Sequence, residues 1–146
     1  MKCVNYKLQL VKEREVEYRG SITSVRKTNN LIKKLGWNIE SEECFNLICL
    51  AQDGKVLGTS EVSRGTLTYT VVGTRELFKR ALLLNAASII VTHNHPSDRP
   101  FPSEQDIHLT ERLQYLAKML DIKMLDHIIS TPSGKYFSFS ANGYLE

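Results

Sequence analysis

The sequence predicts an α/β fold, a single domain with a mixed central sheet covered by helices. Three observations carry that expectation. Helical patterns fall between strand patterns along the chain, as in a sheet with helices packed on it. Residues 44–50 (Cys-Phe-Asn-Leu-Ile-Cys-Leu) and 88–93 (Ser-Ile-Ile-Val-Thr-His) are apolar runs of the length and bulk of buried strands. The 146 residues suit one hydrophobic core. Residues 1–146 are therefore read as one domain, with 1–42 supplying an N-terminal strand and helix.

Taken in order, residues 4–11 alternate loosely and read as an edge strand. Residues 24–35 read as a helix: Ser24 can cap it, Val25, Leu31, Ile32 and Leu35 give partial periodicity, and Gly36 ends it. After the 44–50 strand, Gln52-Asp53-Gly54-Lys55 supplies a hairpin turn into Val56-Leu57. Residues 61–72 are Thr- and Val-rich, with Gly65 as a bulge or point of close approach. Thr74 reads as the cap of a helix with Leu77, Phe78, Ala81 and Leu82 on its apolar face, running to about Asn85. Ser103 opens the longest helix, to about Leu120. Residues 122–130 and 136–139 close the chain as two strands around Pro132-Ser133-Gly134.

Composition excludes several classes. A net charge of +3, from 19 basic and 16 acidic residues, is too small to argue for nucleic acid or an acidic membrane surface. Lys7, Lys12, Arg14, Arg19, Arg26, Lys27, Lys33 and Lys34 are interspersed with Glu13, Glu15 and Glu17, the pattern of a solvated face. The start lacks the apolar stretch of a signal peptide, and no apolar run is long enough to span a bilayer. Cys3, Cys44 and Cys49 form no CxxC pair; they read as free buried thiols of a reducing cytoplasm, with Cys44 and Cys49 on opposite faces of their strand.

The chemistry lies in His93-Asn94-His95-Pro96-Ser97, followed by Pro102-Ser103-Glu104-Gln105-Asp106. Side chains two apart on an extended backbone share a face, so His93 and His95 project together from the end of a buried strand. Paired imidazoles suit Zn²⁺. Asp106 is the candidate third ligand, because Leu109, Leu113, Leu116 and Leu120 follow it at helical spacing and place it at the head of an inward stripe. Three ligands with a fourth position left for water mark a catalytic zinc, one per chain. The competing reading is that Ser103-x-x-Asp106 is a capping box, and a carboxylate turned back to the cap cannot easily face a metal as well. A zinc deaminase is excluded, since His-x-Glu and Pro-Cys-x-x-Cys are absent.

His93-x-His95, seven residues, then Ser103-x-x-Asp106 resembles the JAMM metal motif of MPN-type (JAB domain) metalloproteases. Gly65-Thr66-Leu67, Arg75-Glu76-Leu77-Phe78, Ala81 with Asn85-Ala86-Ala87, residues 93–97, Pro102-Ser103 with Asp106, and Asp126-His127-Ile128-Ile129 resemble the bacterial RadC family in order and spacing, from about Glu43 onward. The resemblance implies a cytidine-deaminase-like fold, one zinc, and hydrolysis of a peptide or isopeptide bond in a peptide or protein substrate. It also implies a general base at Glu43, with Glu42 as the alternative, and an oxyanion-stabilising hydroxyl at Ser103. The alternative from another class is a non-catalytic binding or scaffold module of the kind associated with DNA repair. Asp98 stands where relatives carry glycine, Thr74 where they carry proline, and Ala51 where they carry an acid. For Asp126-His127 two readings stay open, a partner that orients a ligand histidine or a buried structural hydrogen bond. His108 is placed on the solvated side of its helix. The alternating segment Thr66-Leu67-Thr68-Tyr69-Thr70 is either an exposed edge able to pair with an extended peptide or an internal strand.

Overall fold

The computed structural model describes residues 1–65 and 72–146. Its elements are α1 (Val25–Leu35), a 3₁₀ turn (Trp37–Ile39), β1 (Cys44–Leu50), β2 (Val56–Arg64), α2 (Thr74–Leu83), β3 (Ser88–Asn94), α3 (Glu104–Met119), β4 (Lys123–Ser130) and β5 (Tyr136–Ser138). The strands form a five-stranded sheet in the order β2-β1-β3-β4-β5. β3 and β4 run parallel, joined through α3, and the other pairs are antiparallel. The sheet is mixed, as the sequence predicts.

Strand alternation sorts the core into two layers. Phe45, Leu47, Cys49, Ile89 and Val91 face Leu77, Phe78 and Ala81 of α2 and Leu109, Leu113 and Ala117 of α3. Ile48, Leu50, Ile90 and Ile128 face Leu31, Ile32, Leu35 and Trp37 on the other side. Cys44 and Cys49 are both buried, and burial pushes their thiols up to about 11 and about 12, so they act as small apolar side chains. Cys3 differs from expectation: it is exposed.

Local chemistry sets the boundaries. Ser24 accepts the Lys27 N–H at 3.2 Å to start α1, and Gly36, at φ 74°, ends it in the left-handed conformation. Gly54 (φ 81°) turns the β1–β2 hairpin so tightly that a Cβ there would meet the Ile22 carbonyl oxygen at 3.0 Å.

Several expectations are corrected. Residues 4–11 form no strand; they are exposed irregular chain, because an alternating pattern needs a ladder partner and none pairs with them among the described residues. Thr74 does not cap α2; Gly73 holds that position and Thr74 is the first helical residue. Leu82 is 56% exposed and off the apolar face. On α3 the inward stripe continues through Leu113 to Ala117, and Leu120 lies beyond the helix at 42% exposure. The hairpin turn leads into β2 at Val56, as expected, and that strand takes in residues 61–64 of the Thr- and Val-rich stretch. The segment Thr66-Leu67-Thr68-Tyr69-Thr70 lies outside the described residues, and so does the expectation placed on it.

These burial assignments separate two leucines. Leu113→Ala should destabilise the protein by about 2–5 kcal/mol in denaturant unfolding. Leu82→Ala should stay within about 0.5 kcal/mol of the parent. A Leu82 cost equal to that of Leu113 would contradict the packing described.

Candidate metal centre

β3 carries His93 and Asn94 to its buried C-terminal end, and the His95 N–H extends the parallel register by bonding to the Ser130 carbonyl at 2.8 Å. α3 begins beside it, with Ser103 as its cap and Asp106 in its first turn. The two histidines and the aspartate come together: one ligand atom from each lies within 4.8 Å of the others, the one such group among the described residues. His93 Nε2 is 3.0 Å from His95 Nε2. Asp106 Oδ1 lies 3.4 Å from His93 Nε2, and Oδ2 lies 3.5 Å from His95 Nε2.

A buried hydrogen-bond chain fixes which nitrogens carry protons. The Thr110 hydroxyl donates to the Asp106 carbonyl at 2.7 Å, so its oxygen can only accept from His127 Nδ1–H, 2.6 Å away. Burial holds the His127 imidazole well below its usual range, so the ring is neutral and carries one N–H. His127 Nε2 is therefore an acceptor, and His93 Nδ1–H donates to it at 2.7 Å. That leaves the lone pair of His93 Nε2 facing the cluster. His95 reaches the same state by a shorter route, its Nδ1–H donating to the Arg99 carbonyl at 2.7 Å. His127 is thus the orienting partner of a cluster histidine. Asp126 takes the other role: its carboxylate accepts from the His127 N–H at 2.7 Å, the Ser138 hydroxyl at 2.6 Å and the Ser140 N–H at 3.0 Å. Burial raises the Asp126 carboxyl against the pull of those donors.

Asp106 both caps and faces the cluster, which corrects the expectation that the two exclude each other. Its Oδ2 accepts the Ser103 N–H at 2.9 Å, and its own N–H donates to Ser103 Oγ at 3.1 Å. A carboxylate has about four lone-pair positions, so one group serves the box and both imidazoles. Burial alone would raise the Asp106 carboxyl, but His93, His95 and the Ser103 N–H hold it far below the usual carboxylate range. Burial opposes a charged His95, while Asp106, the Arg99 carbonyl and Glu43 outweigh it and raise its pKa.

With Nδ1 of each ring engaged elsewhere, the two Nε2 atoms and the Asp106 carboxylate converge, a donor set that a cation satisfies. Donors held at about 2.0–2.2 Å in tetrahedral geometry are about 3.3–3.6 Å apart, close to the separations here. The residues fit a metal ion.

The remaining expected residues sit around this cluster. Glu43 is half-buried just before β1, and its charge is felt at His95; Glu42 is exposed. Ser103 is exposed at the helix start, and His108 lies on the solvated side of α3. Sequence reading gave Thr110 and Asn94 no role, and it marked Asp98 only as a departure from glycine. Thr110 was visible only as a polar residue beside the stripe that starts at Asp106. Asp98, at φ 64°, accepts the Ser133 N–H at 2.9 Å and pairs with Lys135 at 3.4 Å, tying the loop that carries the Arg99 carbonyl to the β4–β5 turn.

Two outcomes follow from this geometry. Thr110→Val should weaken metal binding by about 10–100-fold, because His127 then has no reason to keep its proton on Nδ1. Calorimetric titration with zinc checks this, with the fold monitored by circular dichroism. The Ser133 N–H bonds, first among several donors, hold the Asp98 carboxyl down at about 2. A depressed folded pKa means that the stabilisation is complete above the ordinary value of 3.8 and is lost as the pH falls towards about 2. The melting difference between parent and Asp98→Asn should be constant at neutral pH and shrink across that acid window.

The chain matches the family model described as a RadC-like JAB domain over residues 22–144. It is 37% identical over 135 residues to a UPF0758 protein of Porphyromonas gingivalis, covering 92% of this chain and 59% of that protein. It is 41% identical over 106 residues to a UPF0758 protein of Methanosarcina barkeri, covering 73% and 46% respectively. A UPF0758 protein of Caldanaerobacter subterraneus is 36% identical over 126 residues, covering 86% and 53%. The chain spans about half the length of these curated relatives. With the mixed sheet and the His93–His95–Asp106 cluster in place, the match over 22–144 shows that this chain belongs to the RadC-like JAB domain family.

Proposed function

We propose that the protein is a zinc-dependent hydrolase of the JAMM type that cleaves a peptide or isopeptide bond, with one zinc per chain held by His93, His95 and Asp106. The observation that carries the reading is the convergence of two imidazole Nε2 atoms, each ring oriented by a hydrogen bond at its Nδ1, on one carboxylate. When bound, zinc supplies Lewis acidity and lowers the pKa of water from 15.7 to about 7.

The chain's own residues supply the rest. Glu43 takes the proton from the attacking water and hands it to the leaving amine. Its half-buried place beside His95 supports this role over exposed Glu42. Ser103 Oγ accepts the Asp106 N–H, so its own proton is free to donate to the oxyanion that develops on the substrate carbonyl. His127 and Thr110 hold His93 in the ligating tautomer throughout. A peptide or protein is the substrate class, and the sequence offers no basic patch for nucleic acid. Among the described residues no helix is long and apolar enough to cross a membrane.

His93→Ala and His95→Ala should each abolish stoichiometric zinc by elemental analysis, and Asp106→Asn should weaken it. Ser103→Ala should keep zinc and lose about 1 kcal/mol of helix-cap stability. Glu43→Gln should keep zinc and melting behaviour while turnover in a peptide-library cleavage screen falls by about 10²–10⁴. Glu42→Gln is the control and should be silent. Full zinc loading with no cleavage of any library member would favour the scaffold module instead.

A further inference from the structure

The residue between the two histidines has a job that the metal cluster does not explain. Asn94 is 1% exposed, yet its side chain points away from the cluster and into the segment preceding β1. Its Oδ1 accepts the Cys44 N–H at 2.7 Å. Its Nδ2 donates to the Glu42 carbonyl at 2.8 Å and to the Glu40 carbonyl at 3.1 Å. Both amide protons and the amide oxygen are used, so the group is fully satisfied in a buried place. The two peptide units that flank Glu43 are thus held by one side chain.

Ladder pairing does not do this work. The β1–β3 register begins at Phe45↔His93, one residue past Cys44. Ahead of it the segment is fastened on its other side, by the Gly65 N–H to the Glu43 carbonyl at 2.8 Å and by the exposed Arg64–Glu40 ion pair. On the β3 side the carboxamide replaces the missing rungs. We propose that Asn94 is a positioning residue, clamping residues 40–44 to the end of β3 and thereby placing the Glu43 carboxylate against the His93–His95–Asp106 cluster. Its consequence for catalysis rests on the hydrolase reading; the clamp itself does not.

The chemistry is selective. Aspartate would keep an acceptor for Cys44 but set a charge against two carbonyls, alanine would leave the buried Cys44 N–H unpaired and release the part-buried Glu40 and Glu42 carbonyls, and glutamine would push the amide one carbon too far. Because His93 and His95 take their orientation from His127 and Arg99, loosening Asn94 should leave the cluster intact.

The test compares parent, Asn94→Ala, Glu43→Gln and the double variant. In native-state hydrogen exchange of the metal-free proteins, Asn94→Ala should lower protection of the Cys44 amide by about tenfold or more relative to the Ile90 and Ile128 amides. In the cobalt-loaded proteins, Asn94→Ala should bind metal within about threefold of the parent and change the visible spectrum as Glu43→Gln does, with the double variant adding nothing further. A merely structural role would not produce that non-additivity. Parental protection at Cys44, or additive spectral shifts, would overturn the proposal. Should Asn94→Ala not fold, Asn94→Ser gives the same readouts. Failure of the parent to bind cobalt or zinc would sink the hydrolase reading, and the exchange arm would still decide the clamp.

Discussion

The placement of one proton orders the centre of this molecule. Thr110 has a single hydroxyl hydrogen, and giving it to the Asp106 carbonyl forces His127 to donate from Nδ1 and accept at Nε2. His93 must then protonate Nδ1 and leave Nε2 bare. The whole chain is buried, where an unmatched polar group costs about 1–3 kcal/mol, so each tautomer is held by the penalty for the alternative. The chain also joins layers: Thr110 and Asp106 belong to α3, His93 to β3 and His127 to β4. Packing of α3 on the parallel pair and the chemistry of the cluster are therefore one constraint.

His95 is governed differently. It lies past the end of β3, is less buried than His93, and depends on a loop carbonyl instead of a core side chain. That loop holds its shape through Asp98, a non-glycine residue in the left-handed region whose conformational cost is offset by its bonds to Ser133 and Lys135. The cluster thus combines one ligand atom fixed from the core with one fixed from the surface. Differences among relatives at position 98 would act on the second and leave the first alone.

Much of this was legible in the sequence, for reasons that can be traced. β1 and β3 are apolar because both faces of the sheet are covered, and their ends coincide with polar or turn residues. Two histidines at strand spacing, followed by an acid at the head of a helical stripe, spell out the cluster in the residue pattern alone. What failed was local pattern without context. Residues 4–11 alternate as a strand does but meet no partner, and Leu82 belongs by letter to an apolar face that the turn of α2 carries out to solvent. Capping and facing the cluster looked exclusive because a sequence counts residues, whereas a carboxylate offers several lone-pair directions, and Oδ2 alone accepts from Ser103 and faces His95. Thr110 and Asn94 were silent because a threonine and an asparagine are commonplace, and only their partners, 17 to 54 residues away, give them meaning; Asp98 stood out as a departure, but its partner Ser133 did not.

The double duty of Asp106 carries a thermodynamic corollary. The lone pairs that receive the Ser103 N–H and those that face the imidazoles belong to one small anion at the positive end of the α3 dipole. Whatever draws charge from that anion weakens the grip on the first turn of the helix, and whatever frays the turn disorders the anion. Occupancy of the cluster and integrity of the helix start are linked functions. By reciprocity, the free energy with which an ion favours the ordered turn equals that with which the ordered turn favours the ion. The start of α3 is accordingly a gauge, built into the backbone, of what the cluster holds.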